Sequence, residues 1–361
     1  MTKPMFLADF QRLPPVARGS VADGLAAAID AVADAAAPGQ AFLRYGWYAA
    51  ALNAYGGRAR TLLVEEDGEP SLALPLVDVG PTWLKLAAVP GSYWPFRSFP
   101  VATFAGEATV KAALSTLAGS LNGLRIGPVY DDDVAAMPLI AAARAGGWAV
   151  LDRFVADSWL LDMAALQAEG TWPRGSTLRK NRFHEKHLAA HGAPDWRFLT
   201  GADWPAAFDA LADIEQASWI AARTDGSDAK FTTTGHGAFW RAAAADPVIA
   251  DMLRAALLTI DGKPAAFSFD LDAGDLKYAI ANSYDPAYAK HSPGKLLYYR
   301  NLVEALGRGI GRVDWGAGDS GYKQVIGADK GPAIRDWLLL RPGLPALAGR
   351  LVRGLWRRSG H

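Results

Sequence analysis

The sequence contains no cysteine. That removes disulfide staples, thiolate metal sites and a cysteine nucleophile, and it leaves the compartment open. Net charge is missing too. Lys+Arg and Asp+Glu are both 37, so no global field draws the chain to nucleic acid or membrane, and any attraction has to be local. There is no uninterrupted apolar run of about 18 residues, so no spanning helix is expected. The opening MTKPMFLADFQRLPP has neither a long apolar core nor a small-residue cleavage site; no signal peptide is read there, and a cytoplasmic protein is expected. The Gly-x-x-x-x-Gly-Lys-Ser/Thr loop, the dinucleotide glycine fingerprint and a Ser/His/Asp nucleophile signature are all absent.

What is present is a packed globular composition. The 361 residues are 51% hydrophobic and 20% charged, long enough for two domains, and 13 are tryptophan. Val21 to Ala36 is Ala-rich and reads as a helix, as does Phe42 to Tyr55 with Phe42, Tyr45, Tyr48, Leu52 and Tyr55 at helical spacing. Arg60 to Glu66 and Ser71 to Val79 flank an Asp-Gly turn, a strong hairpin signal. Trp83 to Val89 adds a third strand, and Pro90 to Pro100, PGSYWPFRSFP, is an aromatic loop. Helices at Glu107 to Leu121 and Asp133 to Ala145 alternate with strands at Leu124 to Val129 and Trp148 to Phe154.

The second half repeats this order. Helices at Trp204 to Ala222 and Gly237 to Ala245 precede a hairpin, Met252 to Ile260 and Pro264 to Asp270, around Asp261-Gly-Lys. A strand follows at Leu276 to Ser283, and Ala333 to Leu340 closes the sheet. LLVEEDGEPSLALPLV aligns with ALLTIDGKPAAFSFDL, and LRIGPV with RVDWGAG. The pattern reads as a tandem duplication: α/β lobes with mixed sheets, packed side by side. The expected boundaries are a first lobe over 1–170, a basic linker helix and strand over 171–200, a second lobe over 201–341 and a tail over 342–361.

The second lobe holds the most informative stretch, Tyr284 to Lys323. A loop, DPAYAKHSPG, leads into a helix over Lys295 to Leu306, stopped by Gly307, Gly309 and Gly311. Arg312 to Trp315 is a short strand, Gly316-Ala-Gly a turn, and Asp319 or Ser320 caps a helix near Tyr322. This unit turns a helix N-terminus and a strand end toward one cleft, where an anionic cofactor group can be held.

SPGKLL and DWGAGDSGYK resemble the GNAT-type acetyltransferase domain of the CelD/BioF2-like group, which is related to the Fem peptidoglycan aminoacyl transferases. The resemblance implies two GNAT-like lobes and an N-acyltransferase that moves an acyl group from acyl-CoA to the primary amine of a small-molecule or cell-envelope precursor, with no metal. The family's Arg/Gln-x-x-Gly-x-Gly/Ala loop corresponds here to Ala289-Lys-His-Ser-Pro-Gly-Lys, where Gly294 alone is bare. Ser292, Gly294, Lys290 and Lys295 are therefore the expected cofactor contacts. For base and acid the candidates are Asp314, Asp319 and Tyr322. Asp314 beside the Trp315 indole is placed for a raised pKa, and the family places at Tyr322 a tyrosine that protonates the leaving thiolate. Trp219, Arg223, Trp315 and Lys323 are the expected substrate contacts, and the Tyr93-Trp-Pro-Phe-Arg loop is a further wall of the same groove.

Two basic segments are left. GSTLRKNRFHEKHLAAH, Gly175 to His191, reads as a helix capped by Ser176, either a solvated connector or a surface for a phosphate-rich donor or tRNA. His184, His187 and His191 share a face there, but HEKH is one residue short of the two-histidine zinc motif. A Fem-like transferase using aminoacyl-tRNA is the alternative this helix supports, and a non-catalytic accessory protein of polysaccharide or lipid assembly is a third reading. Arg341 to His361 interleaves arginines with leucines and has no acid: a basic amphipathic helix suited to peripheral membrane contact, or one that docks on its own domain.

Overall fold

Two Asp-Gly turns set the register of the sheet. Asp67 and Gly68 both have positive φ, as do Asp261 and Gly262, the geometry a two-residue hairpin needs to follow strand twist. In the computed structural model, which describes residues 15–92, 94–218, 229–318 and 322–359, the turns join β2 (Ala59–Glu66) to β3 (Glu69–Asp78) and β8 (Leu253–Ile260) to β9 (Lys263–Ala273). β1 (Ala17–Asp23) and β7 (Pro194–Leu199) add to the outer edges of these hairpins. β4 (Leu86–Ala88) and β10 (Leu276–Tyr284) add to the inner edges, and each then pairs in parallel with β5 (Gly123–Tyr130) or β11 (Arg312–Asp314).

The duplication is visible in this mirror order, and the two halves form one continuous sheet: β1-β2-β3-β4-β5-β12-β6-β11-β10-β9-β8-β7. Its centre corrects a sequence expectation. β6 (Ala149–Asp162) runs far past Phe154, leaves its own lobe and pairs with β11. β12 (Asp329–Leu340) does not close an outer edge but pairs with β5 of the first lobe. Each lobe thus gives its last strand to the other, and β6 and β12 pair antiparallel between them.

One carboxylate pins the exchange. Asp336 on β12 is buried, and the Arg125 guanidinium on β5 donates to it in a fork, Nε to Oδ1 at 3.0 Å and Nη2 to Oδ2 at 2.6 Å. Arg153 on β6 donates to the same Oδ2. Three strands from both halves converge on one charge, with the bidentate geometry that arginine provides.

Helices cover both faces. In the first lobe α1 (Ala28–Ala35), α2 (Tyr45–Tyr55), α3 (Glu107–Ser120) and α4 (Ala136–Ala145) surround the sheet, and α5 (Met163–Ala168) follows β6. The Ala-rich run expected to be helical from Val21 is a strand to Asp23 and a helix only from Ala28, because Val21 to Asp23 pair with Leu62 to Arg60. In the second half come α6 (Gly175–Leu188), α7 (Ala207–Ala217), α8 (Gly235–Ala243), α9 (Pro247–Met252), α10 (Pro293–Gly307), α11 (Tyr322–Val325) and α12 (Leu344–Arg358). The N-cap of α6 is Arg174, with no side-chain cap, not Ser176.

Alternation along β9 separates the layers. Phe267 and Phe269 pack on Phe231, and Phe269 also on Phe208 and Trp240, from the α7–α8 side. Ser268 and Asp270 face α10, where Asn301 Nδ2 donates to Ser268 Oγ at 2.9 Å and to Asp270 Oδ2 at 2.6 Å. Asp272 accepts from Arg308 at 2.8 Å, and the fully buried Lys277 ammonium lies 2.8 Å from Asp272 and 3.5 Å from Asp270. α10 is therefore held on the sheet by directed polar pairs, which fix its position more tightly than apolar packing alone. The lobes also meet through Trp47 of α2, whose ring lies 4.8 Å from Phe239 and 5.8 Å from Trp240 of α8.

Asp336→Ala should leave two arginines facing a void at the lobe junction. Removing one partner of such a buried pair costs about 3 kcal/mol, so denaturant unfolding should show a lower midpoint of that order. An unchanged midpoint would remove the charge from the account of the junction.

Candidate active site

A parallel strand pair that parts leaves an opening. β10 and β11 pair only over Leu276–Tyr278 and Arg312–Asp314 and then diverge. Just beyond, the register of β10 on β9 shifts between Ala279 and Ala281, so Ile280 has no facing residue. Such a bulge bends the strand and releases main-chain groups from the ladder. The resulting cleft has a volume of about 430 Å³ and is lined by Ala279 to Asn282, Trp315, Ala317 and Lys323, with Tyr298 of α10 on one face and Lys230 from the α7–α8 connection on the other. It therefore reaches both faces of the sheet.

The equivalent opening in the first lobe is filled by its own chain. Past the β4–β5 pair, Val89 N donates to Arg125 O, Arg97 N donates to Pro128 O, and Phe96 bridges to Val129. The aromatic loop that closes this gap reaches onward to the second lobe, where Trp94 and Pro95 wall the open cleft. The contact depends on Gly316. Its φ is +60°, and a Cβ there would lie 2.5 Å from the Trp94 ring.

Asp314 ends β11 on the α7 face, paired with Tyr278 and only 2% exposed. Burial pushes its carboxyl up to about 6, against the Gly316 N–H, the Lys323 charge and the hydroxyls of Tyr130 and Ser158, which hold it down. Gly316 N donates to its Oδ1. Tyr130 comes from β5 and Ser158 from the exchanged β6, so the first lobe furnishes half of the carboxylate's surroundings. The Tyr130 and Tyr278 rings lie 5.9 Å apart, and burial raises both phenols. A carboxylate poised near 6 is largely ionised at neutral pH and still basic enough to take a proton.

Other expected residues fall around this centre. Trp315 points to the α10 face, its ring 5.7 Å from Tyr298, and lines the cleft. Lys323 also lines it, and its ammonium donates to the carbonyls of Trp315 at 3.0 Å and Gly318 at 2.5 Å, holding the turn after β11 closed. Tyr322 opens α11, though its side chain lies outside the described residues, as do Asp319, Trp219 and Arg223. Glu215, buried on α7, accepts from the N–H groups of Lys230 and Phe231 and so fixes one end of the connection that carries Trp219 and Arg223.

The cofactor candidates gather at the start of α10. Ser292 is in the left-handed region, φ 51°, and Pro293 begins the helix. Gly294 sits tightly on β10: a Cβ would lie 2.9 Å from Asn282 Oδ1 and 3.1 Å from the Tyr284 ring. This fixes the first turn of α10 beside Asn282, a cleft residue. Lys290 and Lys295 are exposed on either side. Across from them stands α6, and His191 Nε2 meets His291 Nε2 at 2.9 Å. His184 and His291 are pushed below the usual histidine range, by desolvation first and then by mutual repulsion and the charges of Lys180, Lys290 and Lys295. This is a surface that gains by meeting an anion. Among the described residues no group of three or more His, Asp or Glu is placed to hold a metal.

Sequence reasoning missed Tyr130, Ser158, Tyr278, Tyr298 and Lys230. Tyr130 and Ser158 carried no signal because the strand exchange that delivers them is not visible in a linear pattern. Tyr278 lies within the strand expected over Leu276 to Ser283, and nothing in the linear pattern set it apart from its neighbours.

Residues 175–324 match the family model described as an acetyltransferase (GNAT) domain. No curated protein matches the chain. Among solved structures, the fold is similar to that of FemX, with a TM-score of 0.58 at 12% identity over 90% of this chain and 97% of that one. It is also similar to the C-terminal domain (DUF2156) of a protein assigned as a lysylphosphatidylglycerol synthetase from Agrobacterium fabrum, with a TM-score of 0.53 at 13% identity over 92% and 96% of the two chains. At these identities the likeness is one of fold.

The raised Asp314 carboxyl has a signature in stability. Its folded value lies above the unfolded one near 4. Folding is therefore favoured most when the group is protonated in both states, and that advantage is lost as pH rises through about 6. Asp314→Asn removes the titration, so melting curves should show the variant gaining on the wild type between pH 4 and 7. Parallel curves would mean that the carboxyl is not held up by burial.

Proposed function

We propose that this chain, whose residues 175–324 form a GNAT-type acetyltransferase domain, is an N-acyltransferase working at the open cleft of its second lobe. The observation that carries the reading is the strand splay itself: an opening between β10 and β11 with a bulge at Ile280 on one wall and, on the other, Trp315, the residue directly after the buried Asp314.

The donor is an acyl-CoA thioester entering from the α10 face. Its phosphates meet the first turn of α10 at Ser292, Gly294 and Lys295, with Lys290 adding charge, because backbone N–H groups and the helix dipole favour anions there. Its acyl arm runs along the wall that Tyr298 and Trp315 form together. The acceptor amine enters from the α7 face, where Trp219 and Arg223 supply contacts. Asp314 takes a proton from the ammonium, and the freed amine attacks the thioester carbon. The C–N bond forms as the C–S bond breaks; Tyr322 protonates the departing thiolate and is reprotonated by the proton that the nitrogen sheds as it becomes the amide. Main-chain donors released by the bulge would bear the negative charge developing on the carbonyl oxygen. Lys323 keeps the turn after β11 closed, and the acceptor is the amine of a small molecule or cell-envelope precursor.

A second reading has its own support. α6 carries Arg179, Lys180, Arg182 and Lys186, and its histidines lie against the approach to α10. A polyanionic donor such as aminoacyl-tRNA would span both elements. The two donors separate by binding. Under the first reading, acyl-CoA species alone raise the melting temperature. Under the second, charged tRNA binds and its affinity falls steeply with salt, while coenzyme A has no effect. Stabilisation by neither would end the transferase account of the cleft.

Side-chain roles separate in kinetics. Asp314→Asn should cut turnover by about 10²- to 10⁴-fold and abolish the rise in rate through pH 6. Tyr322→Phe should slow turnover with little change in donor affinity; an unaltered rate would take Tyr322 out of the mechanism.

A further inference from the structure

We propose that α12 docks the protein on an anionic lipid surface through a leucine face that the fold leaves uncovered. The helix is anchored by its opposite face. Ala346 and Gly349 are buried against Leu151 and Leu340, and Gly349 comes so close that a Cβ would lie 2.2 Å from Leu340 Cδ1. Trp356 lies under Arg153, 4.7 Å from guanidinium to ring centroid, and Arg357 donates to Asp152 at 3.2 Å. Orientation is thus set before any partner arrives.

The outward face is apolar. Leu344, Leu347, Leu351 and Leu355 are 82%, 54%, 87% and 70% exposed. Their spacing of three and four residues puts them on one stripe, half a turn away from Ala346 and Gly349. A helix that has already buried one face has no folding reason to keep four leucines on the other, and a stripe of this kind marks a contact surface. Its rim identifies the partner. Arg350 and Arg358 are exposed beside the leucines, and no acid occurs from Arg341 to His361. Arginines flanking leucines on a helix that lies flat complement a bilayer with negative headgroups. Among the described residues no helix is long and apolar enough to cross a membrane, so α12 lies on the surface and does not span it.

This proposal does not depend on which donor the cleft takes. The full chain is sedimented with vesicles of phosphatidylglycerol and phosphatidylcholine, and with vesicles of phosphatidylcholine alone. Binding is expected to the anionic vesicles, weakening as salt is raised, and at least about tenfold less to the neutral ones. L347S/L351S should remove it without lowering the melting temperature, since both side chains are exposed. R350E/R358E should weaken it and reduce its salt dependence. Binding that ignores headgroup charge, or that survives L347S/L351S, would overturn the proposal. So would absence of vesicle binding together with a concentration-dependent dimer that L347S/L351S dissolves, because a second copy of the chain would then cover the stripe.

Discussion

The exchange of β6 and β12 is the constraint on which the site depends. Neither lobe completes its own sheet, because the last strand of each lies against the other. The Asp336 carboxylate, gripped by Arg125 and Arg153, sits where the exchanged strands meet and ties both of them and β5 to one charge. Strand exchange alone would hold the halves together by backbone ladder. Its further effect is chemical: it sets Ser158 of the first lobe beside Asp314 of the second, close to Tyr130 of the strand paired with β12. The surroundings of the Asp314 carboxylate are thus built by both copies of the repeat, and the burial that raises its pKa is a property of the junction.

This explains which parts were legible in the sequence. The two hairpins, the mirrored order of elements and the strand–helix–strand unit around SPGK and DWGAG depend on local turn chemistry and periodicity, and these survive in a linear pattern. Asp314 could be singled out because a carboxylate next to an indole is conspicuous. The long reach of β6 was not legible: Asp157 to Asp162 looks like any strand, and nothing in it states which sheet it joins. The same holds for β12, whose apolar run suits a central strand as well as an edge. Tyr130 and Ser158 were lost with that connectivity. Ala-rich Val21 was misread for a different reason, since alanine's helix propensity is weak beside the pairing β1 gains on β2.

The polar pairs under α10 show how burial is used twice in the second lobe. Asp270, like Asp314, is pushed up to about 6, chiefly by burial and against Lys277 and Asn301. Yet it lies under the helix, where Asn301 donates to its Oδ2 and the Lys277 ammonium stands 3.5 Å from the same oxygen. A shifted pKa therefore does not by itself mark chemistry. The two carboxylates differ in their neighbours: Asp314 directly precedes Trp315, which lines the cleft, whereas Asp270 is covered by α10. The cost of burying Asp270 and Lys277 is offset by what they fix, the position of α10 on the sheet beside the cleft.

Tandem copies need not stay equivalent, and here the difference lies in a loop length. Between β10 and α10 the chain uses a short 3-10 turn, Pro286–His291, and leaves the gap between diverging strands open. Between β4 and α3 the matching connection runs from Val89 to Gly106, long enough to lay Phe96 against β5 and fill the gap. The surplus loop of the filled lobe also walls the other lobe's cleft by placing Trp94 on Gly316. One copy has become the wall of the other. A glycine with positive φ at Gly316 is what admits that wall, so the division of labour between the lobes rests on a residue with no side chain.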